Sequence, residues 1–239
     1  INEGCSPLTV NYKDFSTNSN FVSYDFGDAT SFVGRNTSHS FVNTTDETVN
    51  FSVSQMVSNF CSYDTITQIV KVYPIPRATF EIQNDNVCSN DSVFFINNSI
   101  NINSSQWIFP KSQDTINNVD NDLSYSFSSP GVHDVILIVK ESLHNCTDST
   151  ELPVTVNIIP NTNIGTDSIT SCTPYTISES TSFTSPGDRF LWLNSDGDTL
   201  SIFNELQTEI TKVGIHNITL TTTSENGCVD TDSLTVTLH

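Results

Sequence analysis

Residues 130–139 read Pro-Gly-Val-His-Asp-Val-Ile-Leu-Ile-Val, and residues 213–220 read Val-Gly-Ile-His-Asn-Ile-Thr-Leu. In both, β-branched residues crowd a short run and apolar residues recur at every second position. That is the period of a half-buried β-strand. His133 and His216 hold the same place in the two runs, 83 residues apart. The reading extends outward to residues 8–12 (LTVNY), 48–57 (TVNFSVSQMV), 66–73 (ITQIVKVY), 92–96 (SVFFI), 152–158 (LPVTVNI), 175–178 and 233–238 (SLTVTL). No stretch carries a 3.6-residue period. Many short strands without helices predict an all-β sandwich fold.

The cysteines count the domains. Cys5, Cys88 and Cys172 follow one another at 83 and 84 residues, and Cys61, Cys146 and Cys228 at 85 and 82. The chain is therefore three copies of one repeat. Prolines mark the joints, at Pro74 and Pro76 and again at Pro160, which gives domains over residues 1–75, 76–159 and 160–239. The first copy is expected to lack its opening strand, because nothing before Cys5 matches residues 79–82 (TFEI). Of fifteen pairings, the repeat selects Cys5–Cys61, Cys88–Cys146 and Cys172–Cys228, one internal disulfide per copy. The rival scheme, Cys61–Cys88 with Cys146–Cys172, strands Cys5 and Cys228. Closing a loop of about 57 residues stabilises by about 4 kcal/mol, and paired cysteines imply an oxidising compartment: cell surface, extracellular space or periplasm.

Composition narrows the function. The 239 residues carry 27 acidic and 8 basic side chains, a formal charge of −19. That charge repels phosphate backbones and anionic lipid, so no nucleic acid is expected as a partner. No apolar run reaches about 18 residues, so no membrane insertion is expected. No basic segment followed by an apolar one opens the sequence, which reads as a piece of a longer secreted protein.

An aromatic follows each first cysteine at fixed distance: Tyr24, Trp107 and Trp192. Fixed spacing reads as a core ring, whereas a sugar-stacking role requires solvent-facing rings.

Tyr24-Asp-Phe-Gly-Asp-Ala-Thr30 resembles the W-x-F-G-D-G-T signature of polycystic-kidney-disease (PKD) type domains. Residues 130–139 and 213–220 resemble that family's later G-x-Y-x-V-x-L-x-V strand, with His at the Tyr position. Asn145-Cys-Thr-Asp148 and Gly227-Cys-Val-Asp230 resemble its G-C-x-D turn, and residues 72–80 the junction between tandem members. The second and third copies depart from the signature, at Trp107-Ile-Phe-Pro-Lys111 and Trp192-Leu-Asn-Ser-Asp-Gly-Asp-Thr199. A true immunoglobulin domain calls for Tyr two residues before the second cysteine, where Asn59, His144 and Asn226 stand. The resemblance implies three tandem immunoglobulin-like, PKD-type β-sandwiches with no catalytic role. Acidic arrays of this kind resemble segments of large Bacteroidota surface proteins, including gliding-motility adhesins exported by the type IX pathway.

Two kinds of site are candidates. Calcium wants six to eight oxygens, and Asp25 with Asp28, Asp120 with Asp122, and Asp196 with Asp198 offer carboxylates in turns. Asp before Ser or Thr before an apolar residue or Thr occurs seven times, at Thr65, Ser92, Thr115, Ser149, Ser168, Thr199 and Ser233. This tripeptide resembles the O-glycosylation signal of Bacteroidota surface proteins. Asn-x-Ser/Thr occurs eight times, no more than so Asn-, Ser- and Thr-rich a chain gives by chance. Asp25-Phe-Gly27 matches a kinase triplet, but no other kinase motif accompanies it. The five histidines lack a nucleophile motif beside them, so no enzyme is expected and no cofactor beyond calcium.

The expected function is an extracellular, cell-surface stalk or adhesion segment. Its partners would be neighbouring repeats, surface polysaccharide or other cell-surface proteins. One alternative is the accessory binding module of a secreted hydrolase, which needs Trp107 and Trp192 exposed. The other is a component of a surface secretion or motility assembly.

Overall fold

A computed structural model describes residues 2–84, 86–118, 122–181 and 185–239. Among them there are strands and turns and no α-helix, hence no helix long and apolar enough to cross a membrane. The first repeat holds β1 (Glu3–Cys5), β2 (Leu8–Lys13), β3 (Phe21–Asp25), β4 (Ser31–Val33), β5 (Asn36–Phe41), β6 (Val49–Ser58) and β7 (Tyr63–Tyr73). The second holds β8 (Phe80–Ile82), β9 (Asn86–Cys88), β10 (Ser92–Asn97), β11 (Ser104–Phe109), β12 (Asp114–Asn118), β13 (Leu123–Ser126), β14 (Gly131–Lys140) and β15 (Thr147–Asn157). The third holds β16 (Ser168–Ser171), β17 (Tyr175–Ser180), β18 (Arg189–Leu193), β19 (Thr199–Ser201), β20 (Glu205–Ile210), β21 (Gly214–Thr223) and β22 (Val229–Leu238). Every stretch read as a strand from its alternation lies within or overlaps one of these.

Each repeat builds the same pair of sheets. The larger is five-stranded: β1-β7-β6-β3-β4, then β12-β11-β14-β15-β9, then β16-β22-β21-β18-β19. The smaller is β2-β5, β13-β10-β8 and β17-β20 in turn. Two long antiparallel strands form the centre, β6 with β7 and β21 with β22. A short strand ending at the first cysteine, or just before it, adds to the last strand in parallel. None of these sheets draws strands from two repeats.

By contact, the chain divides into two compact units, and the middle repeat is shared between them. One comprises Ile1–Glu81, Ile96–Asp122 and Asp134–Leu152; the other comprises Ile82–Phe95, Leu123–His133 and Pro153–His239. Val10, Val22, Tyr24, Phe26, Phe41, Val53, Val70 and Val72 form a core in the first. Ile164, Ile177, Trp192, Leu206, Ile218, Leu220, Leu234, Val236 and Leu238 form one in the second. Apart from Phe26 and Ile164, which lie outside the strands, these are inward positions of alternating strands, and each large side chain buried there contributes about 1.5–3 kcal/mol.

The strand ends settle the cysteines differently from the expectation. The bonds are Cys5–Cys146 and Cys88–Cys228, with Cα–Cα distances of 5.6 and 5.7 Å. Cys61 and Cys172 are free and exposed. Pairing within a repeat fails on distance. Cys5 lies opposite Tyr73, at the end of β7, whereas Cys61 sits in the turn before Tyr63, where β7 begins. Ten residues of strand at about 3.3 Å each separate the two poles by about 33 Å, and bridged Cα atoms lie within about 7 Å. Cys88 and Cys146 are placed alike, opposite Asn157 and before Thr147. So are Cys172 and Cys228, beside the Ser171–Leu238 pair and before Val229. Each bond therefore joins the first cysteine of one repeat to the second cysteine of the next.

Candidate functional site

The signature turn of the first repeat is a hydrogen-bonded loop. Phe26 N–H donates to Thr30 O (3.1 Å), Gly27 N–H to Asp25 Oδ1 (2.9 Å), and Thr30 N–H and Oγ1–H to Asp28 Oδ1 (3.0 and 2.5 Å). Asp28 Oδ2 lies 2.7 Å from His39 Nε2, and the His39 ring stacks on Phe26 at 4.0 Å. Burial pushes the Asp28 carboxyl up. The bonds from Thr30 and His39 outweigh it and hold the group below the usual carboxylate range. Gly27 is required: its φ is +76°, and a Cβ there would meet Ser52 O at 2.7 Å.

A second polar cluster lies in the same repeat. The Asp14 side chain is fully buried and accepts bonds from Arg35 Nη1 (2.7 Å), Ser16 N–H (2.9 Å) and Gln55 Nε2 (2.9 Å). The Ser16 bonds, then those of Gln55 and the Arg35 charge, hold its carboxyl low. Tyr24 Oη donates to Arg35 O at 2.9 Å. Sequence reasoning missed this cluster, because Asp14, Arg35 and Gln55 share no motif. Burial and the Asp28 charge push the Tyr12 phenol up to about 12, and its hydroxyl has no partner.

The carboxylates predicted for calcium that lie among the described residues serve turns and strand ends. Asp25 and Asp28 serve the turn just described. Asp122 Oδ1 accepts Asn97 N–H (3.0 Å), and Asp198 Oδ2 accepts Asn194 Nδ2 (3.0 Å). Asp196 N–H and Asp198 N–H both donate to Asn194 Oδ1 (2.9 and 2.8 Å). Asp120 lies outside the described residues. Among the described residues, no group of three or more His, Cys, Asp or Glu side chains is placed to hold an ion.

The other predicted positions fall clearly. Tyr24, Trp107 and Trp192 are core rings, 3%, 0% and 0% exposed, and Trp192 Nε1 donates to Phe203 O at 3.0 Å. The aromatic row that a sugar-binding accessory module would need is therefore not made by these tryptophans. His133 and His216 place Nε2 at 2.7 and 2.8 Å from the carbonyls of Ser129 and Lys212, four residues back in each case. Thr65, Ser92, Thr115, Ser149, Ser168, Thr199 and Ser233 all lie on strands, and all seven are exposed. The strand pleat turns each hydroxyl outward, and the apolar residues after Ser92 and Ser233, Val93 and Leu234, are 0% exposed.

The cysteine joints form the most elaborated polar sites. At Cys5–Cys146, the Tyr73 and His144 rings stack at 3.6 Å beside the bond. Tyr73 Oη donates to Glu3 Oε2 (2.9 Å), and Glu141 accepts His144 N–H (2.9 Å) and Leu143 N–H (2.6 Å). Burial pushes the Glu141 carboxyl up, but the His144 and Leu143 bonds prevail and hold it low. At Cys88–Cys228, Asn157 Nδ2 donates to Asn86 Oδ1 (2.6 Å) and Val87 O (3.1 Å). Cys146 and Cys228 are each 1% exposed.

The Asp of the G-C-x-D turn holds the linker. Ala78 N–H donates to Asp148 Oδ2 (2.9 Å) and Thr162 N–H to Asp230 Oδ2 (2.7 Å). Both amides stand ten residues before the first cysteine of their repeat.

No family model and no curated protein matches the chain. Among solved structures it is similar to a three-immunoglobulin-domain stretch of titin, at 11% identity and a TM-score of 0.44, over 99% of this chain and 95% of that one. It is also similar to extracellular domains 3–5 of Drosophila OTK, at 10% identity and TM-score 0.35, over 99% and 95%. A third is part of a 1.5-MDa bacterial ice-binding adhesin, at 14% identity and TM-score 0.36, over 100% and 95%.

Proposed function

We propose that the chain is a non-catalytic stalk segment of an extracellular surface or adhesion protein. It comprises three tandem PKD-like sandwiches, at residues 1–75, 76–159 and 160–239, that space or present an adhesive region. The observation that carries this reading is the serial cross-linking. Cys5–Cys146 and Cys88–Cys228 each tie one repeat to the next, which limits extension and bending without serving any chemistry. The histidines and carboxylates described above are occupied in turns and strand ends. The signature at residues 24–30 supports a parent resembling the gliding-motility adhesins of the type IX pathway. The exposed hydroxyls at the seven Asp-Ser/Thr positions support O-glycosylation there, which intact mass of native material tests. The net charge of −19 keeps neighbouring stalks apart.

The test is replacement in the parent protein. Deleting the segment should reduce surface attachment, and three unrelated disulfide-linked sandwiches should restore it. Failure of that substitute, with restoration only by this sequence, would mean that a specific binding surface carries the function.

A further inference from the structure

The first repeat has a flank that the other two fill. In the second repeat, residues 77–83 run antiparallel along β10. Gln83 N–H donates to Phe94 O and Asn98 N–H to Thr79 O (both 3.0 Å), and Arg77 and Ile100 exchange two bonds of 3.1 Å. This segment sets Phe80, 4% exposed, edge-on against Trp107 at 5.0 Å. In the third repeat Ile164 holds the corresponding place, eight residues before the first cysteine, and is buried in the cluster that contains Trp192. In the first repeat, among the described residues, β2 pairs with β5 alone, and the buried core around Tyr24 is built from residues 10–72.

Beside β2 lies a groove of about 550 Å³, lined by Asn11, Lys13, Phe15, Tyr24, Val53 and Ile66 among others. By the 83-residue interval between first cysteines, Asn11 and Phe15 are the equivalents of Phe94 and Asn98, and Tyr24 is that of Trp107. The strand edge that β8 occupies in the second repeat, and the ring that Phe80 covers there, thus both border this groove. Phe15 and Ile66 are 79% and 68% exposed. An unpaired edge beside exposed apolar side chains is a template for another strand. The anchor for the linker is present as well. Asp148 and Asp230, which hold the amides of Ala78 and Thr162, stand nine residues before Asn157 and His239, the strand-end residues whose carbonyls take the amide after the first cysteine. Nine residues before Tyr73 stands Asp64, exposed. Its Oδ1 accepts Thr65 N–H (2.9 Å), and its Oδ2 takes no bond among the described residues.

We propose that this groove seats an extended strand of the parent chain, contributed by the seven residues ahead of Ile1. The strand adds to β2 in antiparallel fashion. The sixth residue ahead of Ile1 gives its amide to Asp64, and the fourth, a large apolar one, covers Tyr24. Main-chain bonds to the edge of β2 supply affinity, and the apolar side chain fixes the register. This inference rests on the reading of the chain as a segment of a longer surface protein.

The test fuses the second repeat's own strand, Arg77-Ala-Thr-Phe-Glu-Ile-Gln83, directly ahead of Ile1 of the whole chain. Amide exchange should slow about tenfold or more at Phe15 and Thr17, the equivalents of Asn98 and Ile100. The first repeat should also melt at a higher temperature. Phe80→Asp in the fused copy alone should remove both gains, and Asp64→Ala should reduce them. Four results overturn the proposal: no slowing on fusion, gains that neither substitution lowers, slowing along the edge of β7 in place of β2, or a parent with a charged fourth residue ahead of Ile1. The stalk reading is judged separately, by attachment of the parent, so either can fail while the other stands.

Discussion

Pulling a single molecule by its ends measures the cross-link pattern directly. With both disulfides closed, the shortest covalent path from Cys5 to Cys228 crosses to Cys146, runs back through 58 residues to Cys88, and crosses again to Cys228. At about 3.5 Å per extended residue, this unfolded path is about 200 Å long. Reduction opens the full 223 residues, about 780 Å by the same rule, a gain of nearly fourfold. Total length alone does not distinguish the pairing from its within-repeat rival, whose path is only about 5 residues shorter. Substitution does. Cys61→Ser leaves the oxidised length at about 200 Å, because Cys61 carries no bond. Under within-repeat pairing the same change frees the segment from Cys5 to Cys61 and adds about 200 Å. Cys146→Ser reroutes the path through residues 5–88 and adds about 90 Å. The assay is the contour length at unfolding with and without reductant. A gain of about 200 Å in Cys61→Ser would refute the pairing.

Four further outcomes follow from the signature turn and its support. Gly27→Ala meets Ser52 O at 2.7 Å with φ at +76°, so unfolding in denaturant should show a loss of at least about 2 kcal/mol; a neutral effect would mean that the turn is not held in this form. Asp14→Ala leaves Arg35 and Gln55 without their buried acceptor and should cost about 2–3 kcal/mol, below a fully buried pair because Arg35 is half exposed. Asp28 is held low in the folded state, so its stabilisation is complete above about pH 4 and fades as pH falls through the folded value. The stability gap between wild type and Asp28→Asn should therefore narrow between pH 5 and pH 2 (on the order of the ordinary carboxylate range), and a constant gap would contradict this. Because the Asp25 and Asp28 Oδ1 atoms already accept turn N–H groups, millimolar calcium should leave the melting temperature where EDTA leaves it; a rise of several degrees would place a cation in one of the acidic turns.

The long strands were legible because alternation over five or more residues carries a period. The strands of three or four residues, such as β1, β4, β9 and β19, carry none and were not predicted, and neither were β3, β5, β11, β12, β18 and β20, of five or six residues, which the sequence reading did not single out. The core rings were also legible, since Tyr24, Trp107 and Trp192 keep a fixed distance from a cysteine on the inward side of a strand. The cysteine partners were not. A repeat identifies equivalent residues, and a pairing shifted by one repeat has separations of 141 and 140, as regular as the 56 and 58 within repeats. Only the length of the last strand, which sets the two cysteines at opposite poles, tells them apart. The G-C-x-D motif was visible as a turn. Its task is to anchor Ala78 and Thr162 about 70 residues back in the chain, and it depends on tertiary contact.

The position of the staples bears on what they are for. In the chain-entropy model a loop of about 141 residues stabilises by about 5 kcal/mol and one of about 57 by about 4 kcal/mol. The two described loops share residues 88–146, so their effects do not simply add. Per bond the longer loop gains about 1 kcal/mol, but pairing within repeats would close three loops of about 4 kcal/mol against two overlapping ones of about 5 kcal/mol, so equilibrium stability does not favour the observed pairing. The stretched length of the unfolded chain hardly differs either. What differs is the folded state. A bond inside a sandwich would brace strands that already close over a buried ring and central strand pairs of ten residues in the first and third repeats. A bond from Cys5 to Cys146 instead ties the end of β1 to the turn ahead of β15, with Tyr73 stacked on His144 alongside. It restrains rotation between successive repeats, which the short proline linker alone would allow. Mild reduction should therefore soften bending of the folded chain and, in the chain-entropy model, also lower its melting by the loss of up to about 5 kcal/mol per bond; a lowered melting with bending unchanged would point to a purely stabilising role.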